Sequence, residues 1–588
     1  MSEQGSARAA PVVLVEVHEA HRRPDLVHGE SYVTNTAAAD NIYVMKHVLG
    51  LSGDHETSSA ILTEIGQFAS LELEPLGRAA DAEGCRFEDG IVTLPSGFKE
   101  VFRGFADDGW LGLNLPEDYG GSGLSNVLQA AVSEIVNGAF IPLGMLAVTA
   151  RGAAKTLLKH ADPKLCAETV PRLCRGEWTS TIAMTEPGAG SDPNLMSTRA
   201  SLVIDRRYLL NGNKVFISFA AHDLTEKIIH LVLAKVTERD DAISLFMLSS
   251  RPSQPDPLSG IEITGIEQKL GLHASPTCAL AFHNAEGLLI GEVGGGLKCI
   301  FTMVNCMRLE VASEGVGVCH AATELARRYA RERIQGGGRR GRPVPIIEHP
   351  DVRRMISEMA CLTEGLRALT LQAAALMDIA ERQDAPSRSP DLLALLLPIC
   401  KFAASEFAVA IANLGIQVHG GSGYTRASRA EQYLRDARIL PIYEGTSGMQ
   451  AIDLVMRKVR RSTSGYHAFL NELNRQLQAQ PCCDEAATVQ RQLRAGVFAF
   501  ERATNIMTAQ DDENALAVAN DYIMLSSIVA VGWMWFRMAS VQGVDAATSQ
   551  RKRILAKVYA DKYLTSCEYL AQKISFGARS TPEAALLM

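Results

Sequence analysis

Between residues 181 and 296 the chain changes texture, and this limits its fold more than any other feature. "TIAMTE", "ASLVI", "YLLNGNKVFIS", "IIHLVLAKV", "AISLFMLSS", "IEITGIE" and "CALAFH" are short β-rich runs separated by turn residues. Such runs satisfy their backbone groups only by pairing with one another. The spacing predicts a small, mostly antiparallel β domain. Asn211-Gly212 lies between two apolar runs, which predicts a hairpin turn at that point.

On both sides, apolar residues recur at helix spacing. "NIYVMKHVLG", "SSAILTEIGQFASLELEPLGRAA", "NVLQAAVSEIVNGAF" and "AAKTLLKHA" read as helices, with "LPEDYGGSGL" as a loop. After the β block, periodic segments cover about 297–335, 350–383 and 390–418, with Pro350 and Pro390 at helix starts. A further helix is expected from Thr446 to about Arg461. Residues 466–588 are again helical, interrupted at "RQLQAQPCCDEA", "QDDEN" and "SVQGVDAATSQ". The expected fold class is α+β, mostly α. Its parts are an extended arm over 1–40, a helical domain over 41–180, a β domain over 181–296, a helical bundle over 297–465 and an extra helical domain over 466–588. A chain of 588 residues is too long for one core.

Charge narrows the function. The net charge is −8, and residues 466–588 hold twelve Lys+Arg against twelve Asp+Glu, so no basic face for nucleic acid is expected. The 12 cysteines are scattered without zinc-ligand spacing, which predicts free thiols, a reducing compartment and no metal. "PVVLVEV" runs into Glu16, His18 and Glu19 and so lacks the form of a secretory signal. The apolar stretch 522–536 is shorter than the ~20 residues of a membrane span and carries Ser526 and Ser527, so a buried helix is expected. These readings together predict a cytoplasmic protein without a membrane span.

Three motifs could carry chemistry. Residues 336–341 satisfy G-x-G-x-x-G, but a helical segment precedes them and "RPVPIIEHP" follows, so the strand–turn–helix context of a dinucleotide site is missing. In "TIAMTEPGAGSD" an apolar strand ends at Thr185 and a glycine-rich turn leads to Ser191. Free backbone N–H groups and hydroxyls there suit phosphate or carbonyl oxygens, although an ordinary turn would read the same. The third is "QVHGGSGYTRASRAEQYLRDARILPIYEGTSGMQ". Glu444 follows the apolar run Ile439-Leu440-Pro441-Ile442-Tyr443 and precedes Gly445 and Thr446. Thr446 can cap the next helix, whose N-terminus can also hold an anion. A carboxyl walled by Ile442 and Tyr443 should be held above its ordinary pKa, as a general base near neutrality requires.

"MTEPGAGSD", "KVFIS" and "GGSGY…RDARI…IYEGT", in this order over about 41–460, resemble the acyl-CoA dehydrogenase family. "EQKLGLHASPTCALAFHNAEGLLIGEVGGGLKCIFTMVNCMRL", "YARERIQG" and "IIEHPDVRRM" resemble its large members with an extra C-terminal helical domain. Those include the 3-methylmercaptopropionyl-CoA dehydrogenases and some long-chain acyl-CoA dehydrogenases. The resemblance implies an N-terminal helical domain, a middle β domain and a C-terminal four-helix domain around FAD. It implies that Met184, Thr185, Phe216 and Ser218 meet the flavin, with Phe216-Ile217-Ser218 in place of the usual Trp-Ile-Thr. Ser191 would lie near pantetheine or flavin phosphate. Arg333 and Gln335 would bind pyrophosphate, Gln417, Gly420 and Gly421 the dinucleotide of a neighbouring subunit, and Thr446 a phosphate. Gly448 stands where relatives often carry Gln for an FAD contact. Asn305, Arg308 and Gly445 would bind substrate, the first two along the CoA nucleotide.

Glu444 would be the base that takes the α-proton of an acyl-CoA, while flavin N5 accepts hydride, giving the 2-enoyl-CoA. An electron-transfer flavoprotein or similar acceptor, a homodimer and a role in fatty acid β-oxidation are further implications. Three alternatives stay open at this point: an acyl-CoA oxidase using O2, a biosynthetic desaturase of carrier-bound acyl groups, and a DNA-binding alkylation-response relative.

Overall fold

The computed structural model describes residues 32–251, 259–338, 341–382 and 388–580. The first helix, α1 (Tyr32–Tyr43), occupies the end of the stretch read as an extended arm, and its last residues carry the apolar side chains that a helix needs to dock. The rest of that arm lies outside the described residues. Asp54 caps α2 (His55–Phe68) by accepting from the N–H groups of Glu56 and Thr57. Helix α3 (Glu74–Glu83) leads to a small ribbon, β1 (Arg86–Glu88) with β2 (Ile91–Thr93), inside the domain expected to hold helices and a loop. Helix α4 (Phe98–Asp107) follows. Ser125 then caps the long α5 (Asn126–His160), which departs from helical geometry at Phe140, two residues before Pro142. Helix α6 (Pro163–Cys174) begins on a proline, where no N–H is needed.

The β domain comprises β3 (Trp178–Ala183), β4 (Arg199–Ile204), β5 (Arg207–Ser218), β6 (Lys227–Val236), β7 (Ala242–Ser250), β8 (Ile261–Ile266) and β9 (Thr277–Ile290). Strands β6, β4, β5, β9 and β7 pair in a closed ring, since β7 also pairs with β6; β3 lies parallel to β6, and β8 flanks β9. Most pairings are antiparallel. The hairpin expected at Asn211-Gly212 is not formed. Both residues lie inside the continuous strand β5, and the register against β9 shifts between Leu210 and Gly212. Gly212 is needed there because a Cβ would lie 2.6 Å from Thr198 Oγ1. The actual turn joins β4 to β5 at Asp205-Arg206, with Asp205 at φ 50°.

Helices α7 (Gly296–Glu332), α8 (Pro350–Ala380) and α9 (Arg388–His419) form the bundle. A ribbon of β10 (Ile334–Gly337) and β11 (Pro343–Pro345) separates the first two, so the glycine-rich stretch near 336 follows a helix and opens none. Glycines set the crossings. A Cβ on Gly317 would meet the Glu134 carbonyl of α5 at 2.4 Å, and one on Gly315 the Ala404 carbonyl of α9 at 2.6 Å. Short α10 (Ala430–Ala437) and α11 (Ser447–Ile452) complete this region, and α11 continues as a π-helix over Asp453–Arg460.

The last helices are α12 (Ser464–Leu477), α13 (Asp484–Ala509), α14 (Asp512–Ala517), α15 (Ala519–Ala539), α16 (Ala546–Lys562) and α17 (Cys567–Ser580). Helix α15 has 21 residues, longer than its apolar stretch suggested, and is one of three described helices long and apolar enough to cross a membrane. The apolar windows of these three are 94%, 72% and 89% buried inside the protein. Trp535 of α15 donates to the Cys361 carbonyl of α8 at 2.9 Å, and Gly365 leaves room for its indole. All 12 cysteines are free thiols.

Buried charges join these parts. Arg367 of α8 pairs with Glu134 of α5 at 2.5 Å and lies 3.5 Å from Asp40 of α1. Lys552 of α16 donates to Asp40 and to Glu364, both at 2.8 Å, and Arg551 pairs with the same two acids. Three cations and three carboxylates therefore balance. Burial works against the Asp40 anion, but Lys552, Arg367 and Arg551 hold its carboxyl well below the ordinary range. Removing one member leaves an opposite charge buried without its partner. Arg367→Met is expected to lower stability by about 3–5 kcal/mol in urea denaturation. Disrupting the exposed Lys557–Asp561 pair should change it by less than about 1 kcal/mol.

Candidate active site

The loop carrying Glu444 is built from the helix behind it. Lys401 of α9 is fully buried, and its ammonium donates to the carbonyls of Leu440 at 2.6 Å and Gly445 at 2.8 Å. Gln450, buried in α11, donates to the Gly445 carbonyl at 3.2 Å and the Glu444 carbonyl at 3.4 Å. Ser447 N–H closes the loop onto Pro441 O at 2.9 Å. Held this way, Glu444 and Gly445 both take left-handed backbone, at φ 55° and 88°. Glycine does so freely. A glutamate there is strained and persists because its surroundings impose it. Among the described residues the Glu444 N–H makes no backbone hydrogen bond.

Burial raises the Glu444 pKa, as expected, and Lys401 and Arg308 oppose it. The wall differs from the expectation. Ile442 is 48% exposed and points away, because the bend turns it to solvent. Tyr443 turns inward, and its hydroxyl donates to Glu314 of α7 at 2.5 Å. The second Glu314 oxygen is buried and makes no hydrogen bond among the described residues. Burial pushes the Glu314 carboxyl up to about 8, with Glu310 and Glu444 adding to the effect. Burial brings the Lys401 ammonium down to about 8, against the pull of Glu444 and Glu314.

Thr446 caps α11 by accepting from the Met449 N–H at 3.1 Å. Gly448 has open space around it: a Cβ would meet only Thr446 Oγ1, at 3.6 Å. Arg308 lies half-buried beside the loop and pairs with Asp453 at 2.8 Å, whereas Asn305, one turn earlier on α7, is exposed.

Met184 and Thr185 meet the Phe216 bulge. Val215 N–H donates to Thr185 O at 2.9 Å, and Lys214 to Met184 O at 3.0 Å. Phe216 has φ 60° and is 61% exposed, an aromatic ring held out on strained backbone where β5 slips register against β9. Ser218 follows, half-buried. Glu186 anchors the turn. It accepts from Lys214 at 2.8 Å, the Ser197 hydroxyl at 2.7 Å and the Thr198 N–H at 3.1 Å. Burial opposes its charge, yet these donors hold its carboxyl down to about 2. Ser191 stands exposed at the tip of this turn.

Arg333 and Gln335 project from the end of α7, their side chains 3.2 Å apart. Gln417, Gly420 and Gly421 are exposed at the adjoining end of α9, where His419 stacks on Tyr329 at 4.4 Å. No hydrogen bond joins this end to the Thr185–Phe216 patch among the described residues. Helix α10 ties the β domain to the N-terminal helices. Asp436 accepts the Leu272 N–H of the β domain at 2.7 Å, while neighbouring Arg435 pairs with Asp81 of α3. Lys401, Glu314, Gln450 and Glu186 were not singled out from sequence. The available signal was a charge inside an apolar helical stretch, plain in "LLALLLPICKFAASEF".

Comparison with known proteins accords with this layout. Residues 55–177 match the acyl-CoA dehydrogenase N-terminal domain, 181–285 the middle domain and 294–459 the C-terminal domain; 469–584 match an acetyl-CoA dehydrogenase C-terminal-like domain. The chain is 35% identical over 535 residues to the 3-methylmercaptopropionyl-CoA dehydrogenase of Ruegeria pomeroyi, covering 87% of this chain and 91% of the relative. Caenorhabditis elegans ACDH-11 in complex with C11-CoA superimposes with TM-score 0.79 at 22% identity, over 94% of this chain and 95% of that one. An acyl-CoA dehydrogenase from Bacillus anthracis complexed with FAD gives 0.72 at 19% identity, over 94% and 90%.

The raised Glu314 carboxyl makes stability depend on pH. Between its ordinary value of 4.5 and about 8 the folded chain holds a proton that the unfolded chain has released, so stability falls as pH rises through this window. Glu314→Gln should flatten that decline, and the difference from the unaltered protein in urea unfolding should grow from pH 5 to pH 8.

Proposed function

Because the chain belongs to the acyl-CoA dehydrogenase family, we propose that it removes the α-proton of an acyl-CoA with Glu444 and yields the 2-enoyl-CoA, with FAD as cofactor. The observation that carries this is the left-handed Glu444–Gly445 turn, which presents at one point a half-buried carboxyl of raised pKa and an N–H without a hydrogen-bond acceptor among the described residues. A thioester α-proton is weakly acidic. Its removal needs a base near neutrality and a donor to the carbonyl where enolate charge develops. The Glu444 carboxylate serves as the base and its own N–H as one donor. Lys401 and Arg308 oppose the effect of burial on that carboxyl and so favour its anion, the form a base needs.

The residues present fit the cofactor. Phe216 offers an aromatic face on fixed backbone beside Thr185 and Ser218, and the exposed Arg333 offers a cation for pyrophosphate. When bound, the flavin supplies the two-electron acceptor for the hydrogen leaving the β-carbon. Thr446 and the start of α11 would face a phosphate, and Asn305 the CoA nucleotide. Arg308, engaged with Asp453 beside the loop, suits the acyl end of the substrate better than the nucleotide. Exposed Gln417, Gly420 and Gly421 suit a contribution to a neighbouring subunit's cofactor, which supports a homodimer. Re-oxidation by an electron-transfer flavoprotein, a place in β-oxidation and a cytoplasmic location belong to the same proposal.

Glu444→Gln is expected to bind FAD normally and to lose about 10²–10⁴-fold in the rate of flavin bleaching by acyl-CoA, measured anaerobically by stopped flow. Full activity in that variant would remove Glu444 from the role of base. Glu186→Ala leaves Lys214 buried without its counter-charge, and should lower both FAD retention and melting temperature.

A further inference from the structure

Behind the Glu444 loop, the α5–α7 interface holds buried charged side chains among its apolar ones. Glu310 and Glu314 are one turn apart on α7, about 6 Å along the axis. Glu314 touches Tyr443, the neighbour of Glu444. Glu310 pairs with Arg151 of α5 at 3.0 Å, and the Arg151 side chain is 2% exposed. Arg151 also lies 3.5 Å from Ser133 Oγ. These groups are not fully satisfied. Arg151 Nε and Glu314 Oε1 are buried and make no hydrogen bond among the described residues. An unpartnered buried polar atom costs about 1–3 kcal/mol, and two on facing helices of one interface, one of them on the acid that Tyr443 touches, point to a ligand that satisfies them.

Charge decides which ligand. Glu310 balances Arg151, Asp453 balances Arg308, and Lys401 faces Glu444. Glu314, pushed up to about 8, is protonated at neutral pH. Arg457, which also pairs with Asp453, is largely exposed, so no excess buried positive charge remains to receive a carboxylate. A neutral group that both donates and accepts fits: it can take the Arg151 Nε hydrogen and meet the free Glu314 oxygen.

Resting on the dehydrogenase reading above, we propose that the substrate is a short acyl-CoA whose chain ends in a neutral hydrogen-bonding group such as a hydroxyl, held between Arg151 and Glu314. A methyl group there would leave both polar atoms unpaired, and a site built to bond a hydroxyl rejects the analogue that lacks it.

The test is calorimetric binding to the FAD-loaded Glu444→Gln protein, which prevents turnover. The ligands are ω-hydroxyacyl-CoAs of four to six carbons, their isosteric unsubstituted acyl-CoAs and the matching ω-carboxyacyl-CoAs. At one or more lengths the hydroxyacyl-CoA should bind at least about tenfold tighter than both counterparts. Adding Arg151→Met with Glu310→Met, which removes both charges together, should abolish or reverse that preference. Should this variant fail to fold, Glu314→Met removes the other arm and should also abolish it. Unsubstituted or carboxylated chains binding as tightly at every length would overturn the proposal, as would a preference that survives these variants. If hydroxyacyl-CoA binds preferentially but the unaltered enzyme transfers no electrons from it or any other acyl-CoA, the inference stands and the dehydrogenase reading falls. If no acyl-CoA binds, both fall.

Discussion

The site depends on a buried ammonium. Lys401 sits inside an apolar helix, where an isolated charge would cost several kcal/mol, and it is kept there by two carbonyls and by Glu444. The same contacts fix the loop. With Leu440 and Gly445 drawn to one point, the chain between them must bend, and the bend puts Glu444 in left-handed backbone with its carboxyl turned inward. A freely turning loop would relax that strain and solvate the acid. Lys401 thus sets both the direction of the Glu444 carboxyl and how far its pKa rises.

Everything that holds α9 therefore bears on the Glu444 loop. The closest constraint is the α7–α9 crossing at Gly315, which leaves no room for a side chain. The widest is the balanced group of Asp40, Glu134, Glu364, Arg367, Arg551 and Lys552, joining α1, α5, α8 and α16. Through it and through Trp535, the last helices dock on the bundle. The C-terminal helices are thus part of the body that supports the site.

Much of this was legible in sequence, for identifiable reasons. The long helices follow from periodicity, and the start of α8 from Pro350. The β block follows from short apolar runs. Asn211-Gly212 misled because glycine serves equally in a turn and where a strand passes too close to a neighbour; only the Thr198 contact separates the two. Glu444 was legible because an acid in an apolar run is conspicuous. Its partners were harder to see. Lys401 stands 43 positions earlier and Glu314 130 positions earlier, and nothing local says which charge a helix turns inward. Ile442 and Tyr443 look alike as neighbours in sequence, yet the bend sends one to solvent and the other to Glu314. Arg151 and Glu310 likewise become partners only when α5 meets α7.

The most direct measurement is the pH dependence of anaerobic flavin reduction in Lys401→Met, with Lys401→Arg as the charge-preserving control. If Lys401 holds the Glu444 carboxyl down, removing the ammonium moves the acid limb of the rate profile to higher pH, and Lys401→Arg returns it toward the original position. An acid limb that stays in place in Lys401→Met, in protein that still binds FAD, would contradict the account.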